Sequence, residues 1–417
     1  MIRGNQESMG EKTHTSFQVL LPLGMATALS LMGDATMYTV LPTHTEEAGI
    51  ALTLVGILLG INRGVRILFN NLAGIGYDKW PRRSLLIPAY FIGSGSTFLY
   101  ALSHGFWLLL FARILWGLAW SGIWVGGVSV ILDIAGERNR GRLMGFYQVW
   151  FFVGIALGSF LGGLLTDTVG YRTTMVVGGA VTALGGVFAL LFLPETSSRR
   201  QTATVKNQSP GHLKSGSEST RTYRATAWIA ALLMGIDRFI IAGILSATMS
   251  LLVREKISPY AVFVGVSTLT GIMVAARTVL SMASAPLIGI VSDSLRDRWR
   301  VVMMALLAGA IGMLLIAHGS PLSLFFGIAV AAMTNGGMQV LVRSLVGDVA
   351  SQSRYGRTVG LLHTTGDIGS ALGPPLAFLV LPFIGLSGLF LSAGVLYALS
   401  FGFLIFLRFR AVLTLRN

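Results

Sequence analysis

The 417-residue chain is 53% hydrophobic and 12% charged, with a mean hydropathy of +0.72; soluble domains are about 25% charged, so the solvent of this chain is lipid. Cys is absent, which excludes disulfides, a thiol nucleophile and Cys-based metal sites, and the six His are too dispersed for metal-ligand spacing. The formal charge of +14 raises nucleic acid as a partner until the basic residues are placed along the chain.

Apolar windows of about 20 residues, the length that crosses a hydrocarbon core, number twelve: 17–42, 50–73, 84–103, 106–132, 143–166, 171–193, 224–252, 259–290, 301–318, 321–346, 357–381 and 385–408. With the N-terminus cytoplasmic, the segments on that side hold 22 of the 31 Lys and Arg, the opposite segments hold three (Arg172, Arg254, Lys256) and six fall inside spans. That asymmetry is the positive-inside pattern, and it accounts for the charge without nucleic acid. A multi-pass protein of the cell (inner) membrane with both termini cytoplasmic is expected. The first 16 residues lack a signal-peptide pattern, and the first apolar run is too long for a cleaved segment, so it is read as a membrane helix.

Ionisable residues inside spans carry the next information. At a helix centre each costs about 2.5–3.5 kcal/mol on translocon scales, so none should face lipid. Span 1 holds Asp34, for which two roles are open: a proton carrier in a desolvated site, or a permanent pair with an Arg of span 2 or 4. Span 2 holds Asn62, Arg63 and Arg66; the two arginines are three apart and share a helical face, where they either neutralise carboxylates or await an anion. Span 4 holds Arg113, together with Trp116, Trp120 and Trp124 at intervals of four, a stripe that fits either an apolar pocket or helix packing. Span 5 carries Gly154, Gly158, Gly162 and Gly163 in "GIALGSFLGG", a spacing that suits close helix crossing.

Residues 194–223, rich in Ser, Thr, Lys and Arg, read as a cytoplasmic linker dividing the spans six and six. Beyond it, span 7 holds Asp237 and Arg238, about 100° apart on a helix, and span 8 holds Arg277. Arg343 in span 10 sits near enough to the cytoplasmic end to snorkel, and Asp367 in span 11 has gating, packing or substrate contact open to it. Counted together, six Arg face three Asp within spans, which favours an anionic or zwitterionic solute, or one with a polar head.

Internal repetition runs through the whole chain. At an offset of 215, Gly74, Asp78 and Arg83 in "GIGYDKWPRR" pair with Gly289, Asp293 and Arg298 in "GIVSDSLRDR". The same offset pairs Asp133 with Asp348, Gly145 with Gly360, Gly154 with Gly369 and Gly158 with Gly373. One register over several helices and loops implies a parallel repeat of two six-helix units, an architecture of secondary transporters.

These residues resemble the Major Facilitator Superfamily. Its loop signature G-x-x-x-D-[RK]-x-G-[RK]-[RK] is matched by Gly74, Asp78, Lys79, Arg82 and Arg83, with Pro81 in place of the second Gly. The resemblance implies that this loop latches the two halves on the cytoplasmic side. Arg113 and Gly117 resemble part of the family's proton-antiporter motif. The span 5 glycines resemble its antiporter signature, with Ser159 where that signature has Pro. The implied fold is an all-α membrane protein of twelve transmembrane helices in two pseudo-symmetric six-helix halves, 1–193 and 224–417. The implied activity is secondary active transport of a small organic solute by alternating access, as proton-coupled export. An organic-anion facilitator or symporter is the alternative, and a transport-inactive scaffold is the third reading. Asp34, Arg113 and Asp237 are the proton-coupling candidates, and Asn62, Arg63, Arg66, Trp120, Arg238 and Arg277 the cavity candidates. No nucleotide loop, nucleophile–base pair or metal cluster points to an enzyme or a cofactor. The expected partners are the solute, the bilayer and protons, with a monomer implied by the resemblance.

Overall fold

Backbone N–H and C=O groups have no water to bond in a hydrocarbon core, so an open chain crosses it as helix. The computed structural model describes residues 16–136, 139–197, 217–261, 263–295, 297–349 and 352–414, and these contain helices and no strand. Most of the predicted linker, 198–216, lies outside the described residues.

The membrane helices are α1 (Ser16–Val40), α2 (Leu52–Lys79), α3 (Arg82–Leu102), α4 (Phe106–Ile134), α5 (Arg140–Val169) and α6 (Tyr171–Phe192), followed by α7. That helix runs through Ser217–Asp237, a π-helical segment Arg238–Leu245 and Ser246–Lys256. Then come α8 (Val266–Leu295), α9 (Arg298–His318) and α10 (Pro321–Val349). Helix Gln352–Thr414 is interrupted at Gly385 (φ 65°), which separates α11 (352–384) from α12 (386–414). Its apolar stretch, Thr358–Arg408, has 51 residues, about 75 Å of helix, more than twice the hydrocarbon thickness; it makes two passes. Span 8 starts later than the predicted residue 259, because Ser258–Tyr260 forms a 3₁₀ turn with Pro259 in its first turn.

Packing repeats with a shift of six helices. In one half α1 packs on α5 and α6, α2 on α4, and α3 on α4 and α6; in the other α7 packs on α11, α8 on α10, and α9 on α10 and α12. The halves meet along two seams, α5 against α8 and α2 against α11. Bare backbone makes the seams close. Gly56 and Gly60 of α2 rest on the carbonyls of Pro374 and Ala371, Gly163 of α5 on that of Ser267, and Gly271 of α8 on that of Ser159.

Both seams lie toward the end of the bundle whose turns contain Gly49, Gly105, Gly170, Gly319 and Gly385, all with positive φ, as tight turns there require. Gly56, Gly60 and Gly64 follow at intervals of four on one face of α2. The first two touch α11, and nothing lies within 4 Å of the position a Cβ of Gly64 would take. Below Gly60 the two helices no longer meet backbone to backbone, so the glycine contacts seal the glycine-turn end and a divergence begins on the side of the basic loops, at Arg63 and Arg66.

Candidate substrate cavity between the halves

The divergence holds a cavity of about 200 Å³ and, beside it, a smaller lobe of about 130 Å³ that shares Arg63, Arg66, Trp120 and Arg277 with it. The space suits a small organic molecule rather than a bare ion. Its two faces differ in chemistry. From α4 and α5 come Trp120, Trp124, Phe151, Phe152 and Ile155. Trp116, Trp120 and Trp124 stack along α4 at 6.4 and 6.0 Å between ring centres, so the stripe both packs the helix and walls the cavity. The other face carries most of the polar groups, Arg238 of α7, Arg277 of α8, Asn335, Gln339 and Arg343 of α10, and His363 and Asp367 of α11; Met234, Ile241, Ala242 and Leu362 lie among them, and Gln148 of α5 is polar on the aromatic side. Arg63 and Arg66 of α2 stand between the two faces.

Five arginines thus share this wall with one carboxylate. Arg66 is paired with Asp367 at 3.2 Å, which joins α2 to α11. Arg63 donates to the carbonyl of Ala242 at 2.8 Å, and Arg277 to that of Ile241 at 3.5 Å. Both carbonyls belong to the π-helical segment, whose wider turn leaves backbone acceptors to side chains; Ser246 Oγ also donates to Ile241, at 2.8 Å. Arg238 donates to Gln339 Oε1 at 2.9 Å, and Arg277 Nε is buried with no partner. These three arginines are satisfied only by neutral oxygens or left short of them, which leaves their charge available to an anion.

The smaller lobe reaches Asp34, Tyr38 and Asn62. Asp34 forms an ion pair with Arg113, which is fully buried and also donates to the Leu58 carbonyl (2.9 Å) and to Tyr100 Oη (3.1 Å). Tyr38 stands between two cations, with Arg63 and Arg113 each 5.2 Å from its ring centre, and donates to the Leu59 carbonyl at 2.6 Å. Arg113 is therefore a clamp beneath the wall rather than part of it. Asp237 is turned away from the cavity; it is fully buried, and its Oδ1 accepts from Tyr397 Oη at 2.9 Å.

Of the glycines singled out on spans 5 and 11, Gly163 meets the opposite half and the others act within their own. Gly154, Gly158 and Gly162 press on Ala28, Met32 and Thr36 of α1, and Gly369 and Gly373 press on Gly235 and Gly243 of α7. At the basic end, Gly74 and Gly289 stand clear of the opposite half, and Asp78 and Lys79 are exposed. Arg82 chelates Asp133 (2.7 and 3.1 Å), while Arg298 bonds Asp348 (2.6 Å) and Asp293 (3.0 Å). These pairs bind each loop to its own half in this conformation. They also correct the repeat register: the counterpart of Arg298 is Arg82, the first residue of α3, rather than Arg83. Three residues separate Asp78 from Arg82 and four separate Asp293 from Arg298, so α9 starts one residue later relative to its aspartate. Glu195 caps α3 by accepting from the Arg82 and Arg83 N–H groups at 2.9 and 3.0 Å. Burial acts to raise the Glu195 carboxyl, but bonds from the N–H groups of Arg83, Ser197 and Arg82 outweigh it and hold it below its ordinary value. The Asp297 carboxyl is likewise held low, chiefly by Arg408 at 2.6 Å.

Sequence reasoning missed Asn335, Gln339 and His363 and directed Arg343 toward the membrane surface. Arg343 faces the cavity because it continues a polar row, Asn335, Gln339 and Arg343 at intervals of four, within an otherwise apolar helix; that row was visible in the sequence.

Comparison with known proteins agrees with this architecture. The family profile for the Major Facilitator Superfamily matches residues 23–272 and 227–414. The class H tetracycline resistance protein of Pasteurella multocida is 26% identical over 360 residues, 84% of this chain and 86% of that protein. Multidrug resistance protein 1 of Bacillus subtilis (strain 168) is 23% identical over 211 residues, 51% of this chain and 52% of that one. A bacterial homolog of the human lysosomal transporter Spinster, solved in an inward-facing and occupied conformation, has a TM-score of 0.74 at 17% identity, covering 93% of this chain and 95% of that one.

Proposed function

The chain is a member of the Major Facilitator Superfamily, and we propose that it exports small amphipathic organic solutes bearing an anionic group, in exchange for protons, by alternating access. The observation that carries this reading is the composition of the cavity: five arginines with one carboxylate on its wall, opposite a ladder of aromatic rings. An anionic head meets Arg238, Arg277 and Arg63, and an apolar body lies on Trp120, Trp124 and Phe151. The bias of Lys and Arg toward the loops at the cavity end supports a cytoplasmic mouth, from which the solute would load. Export is supported by the names of the two bacterial relatives, resistance proteins for tetracycline and for multiple drugs.

Proton coupling is assigned to Asp34. A proton there removes the ion pair between α1 and Arg113 of α4. Coupling requires that the two conformations hold that proton with different affinity, and α1 is joined to the seam with α8 through α5. On this reading both termini and the Gly74–Arg83 loop are cytoplasmic, and that loop would latch the halves once the mouth closes.

A second reading, an anion facilitator or symporter without proton antiport, is favoured by one observation, that Asp367 stands on the same wall as the five arginines. A cationic wall binds an anion more tightly when a neighbouring carboxyl is protonated, so the two ions would travel together. Proteoliposomes with a trapped pH dye separate the readings, with naphthalene-2-sulfonate, a permanently charged aromatic anion, as the probe. Exchange predicts opposite movement of sulfonate and protons, and cotransport predicts movement together. Transport of a hydrophobic cation of similar size but not of the sulfonate rejects both.

A further inference from the structure

The hydroxyl side chains on the cavity lining are Ser246, Thr278, Ser281 and Ser370. All but one bond back to their own helix. Ser246 Oγ donates to the Ile241 carbonyl and Ser370 Oγ to that of Gly366, each at 2.8 Å, and Thr278 Oγ1 donates to that of Val274 at 2.7 Å. Ser281 makes no such bond. Its Oγ accepts from Asn335 Nδ2 at 3.0 Å, and among the described residues its proton has no acceptor.

The neighbouring amides fix that arrangement from the far end. Arg238 has only donors, so Gln339 turns Oε1 to it, at 2.9 Å. Gln339 Nε2 then meets Asn335 Oδ1 at 3.4 Å, which leaves Asn335 to point Nδ2 at Ser281. Every member of the row turns an acceptor toward the arginine, so the hydrogens left unused are an N–H of Gln339, an N–H of Asn335 and the O–H of Ser281. The row is uncharged, and Ser281 lies one turn, about 6 Å, along α8 from Arg277.

We propose that Gln339, Asn335 and Ser281 form a second, uncharged subsite that takes an acceptor oxygen on the aromatic body of the solute, beside the anionic group held by the arginines. This rests on reading the cavity as the solute site, and it narrows the solute to aromatic anions with a ring-borne carbonyl oxygen. A solute N–H in the same place would face these donors and is disfavoured.

The test is calorimetric titration of the full chain in lipid nanodiscs with naphthalene-2-sulfonate and its 6-acetyl and 6-isopropenyl derivatives. The two derivatives share one shape and differ in whether an oxygen or a methylene group ends the substituent. The acetyl compound is expected to bind about tenfold more tightly than the isopropenyl one, the effect of one neutral hydrogen bond. The double variant Ser281→Ala/Asn335→Leu should abolish that preference. Equal affinities in the wild type, or the full preference retained in the double variant, overturn the subsite while binding of the parent sulfonate leaves the anion reading in place. Binding of none of the sulfonates overturns the anion reading and the subsite with it. Should the double variant not fold, Ser281→Ala decides, and an unchanged preference overturns the subsite.

Discussion

Arg66 of α2 and Asp367 of α11 meet at 3.2 Å and tie the two halves together on the cavity wall, with their side chains 20% and 19% exposed. Water in the cavity screens such a pair, so it is worth no more than about 1 kcal/mol. Asp367→Asn frees Arg66 for an anion, and naphthalene-2-sulfonate is expected to bind about fivefold more tightly. Quenching of tryptophan fluorescence, with Trp120 and Trp124 at the cavity, measures this. Unchanged or weaker binding would remove Arg66 from the anion site.

The pair beneath the wall behaves differently, because Arg113 is fully buried while Asp34 is 13% exposed. Asp34→Asn strands a buried guanidinium, at a cost of about 3 kcal/mol, partly offset by the bonds to Leu58 and Tyr100. Thermal unfolding in detergent should show a lower midpoint for Asp34→Asn than for the double variant Asp34→Asn/Arg113→Gln. Equal midpoints would mean that the pair contributes nothing as a pair. In liposomes, Asp34→Asn is expected to abolish proton movement.

At the closed end, Asp167 of α5 accepts from Thr268 N (2.6 Å), Thr268 Oγ1 (2.7 Å) and Ser267 N (3.3 Å) at the start of α8. A carboxylate at a helix N-terminus is favoured by both the free N–H groups and the helix dipole. Asp167→Ala deletes these bonds across the seam and should raise the population with that end open by roughly tenfold, the equivalent of about 1.4 kcal/mol. The chain has no Cys, so a single Ser159→Cys at the seam reports the change as faster labelling by an impermeant maleimide. An unchanged rate would show that the glycine contacts alone seal the seam.

Acid should loosen the basic end first. The Glu195 and Asp297 carboxyls are held below their ordinary values, so each binds its proton more readily in the unfolded chain. Their contribution to stability is complete above the unfolded values of about 4 and is lost as pH falls through the folded ones. Glu195→Gln should lower stability at neutral pH by about 1 kcal/mol, the usual effect of losing a helix cap, and should flatten the acid limb. The measurement is the unfolding midpoint from pH 7 down to pH 3; an unaltered acid limb would exclude Glu195 as the cap.

Lipid made the spans and the repeat legible. Each span is long because the bilayer is thick, and each mid-span charge stands out because its burial is costly. The partners of those charges were not legible, since they depend on how each helix is rotated about its axis. Neighbours Asp237 and Arg238 separate to opposite environments for that reason, and no spacing in the chain indicates that Arg113 lies below the wall while Arg66 lies in it. The π-helical segment escaped too: "RFIIAGIL" reads as ordinary apolar helix, and the extra residue per turn becomes visible only in the carbonyls offered to Arg63, Arg277 and Ser246. The one-residue slip between Arg82 and Arg298 is hidden by the exact offset of the aspartates on either side of it.

The seams are built from glycine against backbone, whereas the cavity is built from side chains. A methyl group added at Gly60, Gly163 or Gly271 would act as a wedge between the two halves, while a changed side chain on the wall alters what the cavity can hold. Substitutions that retune the cavity are therefore separate in position from those that part the halves.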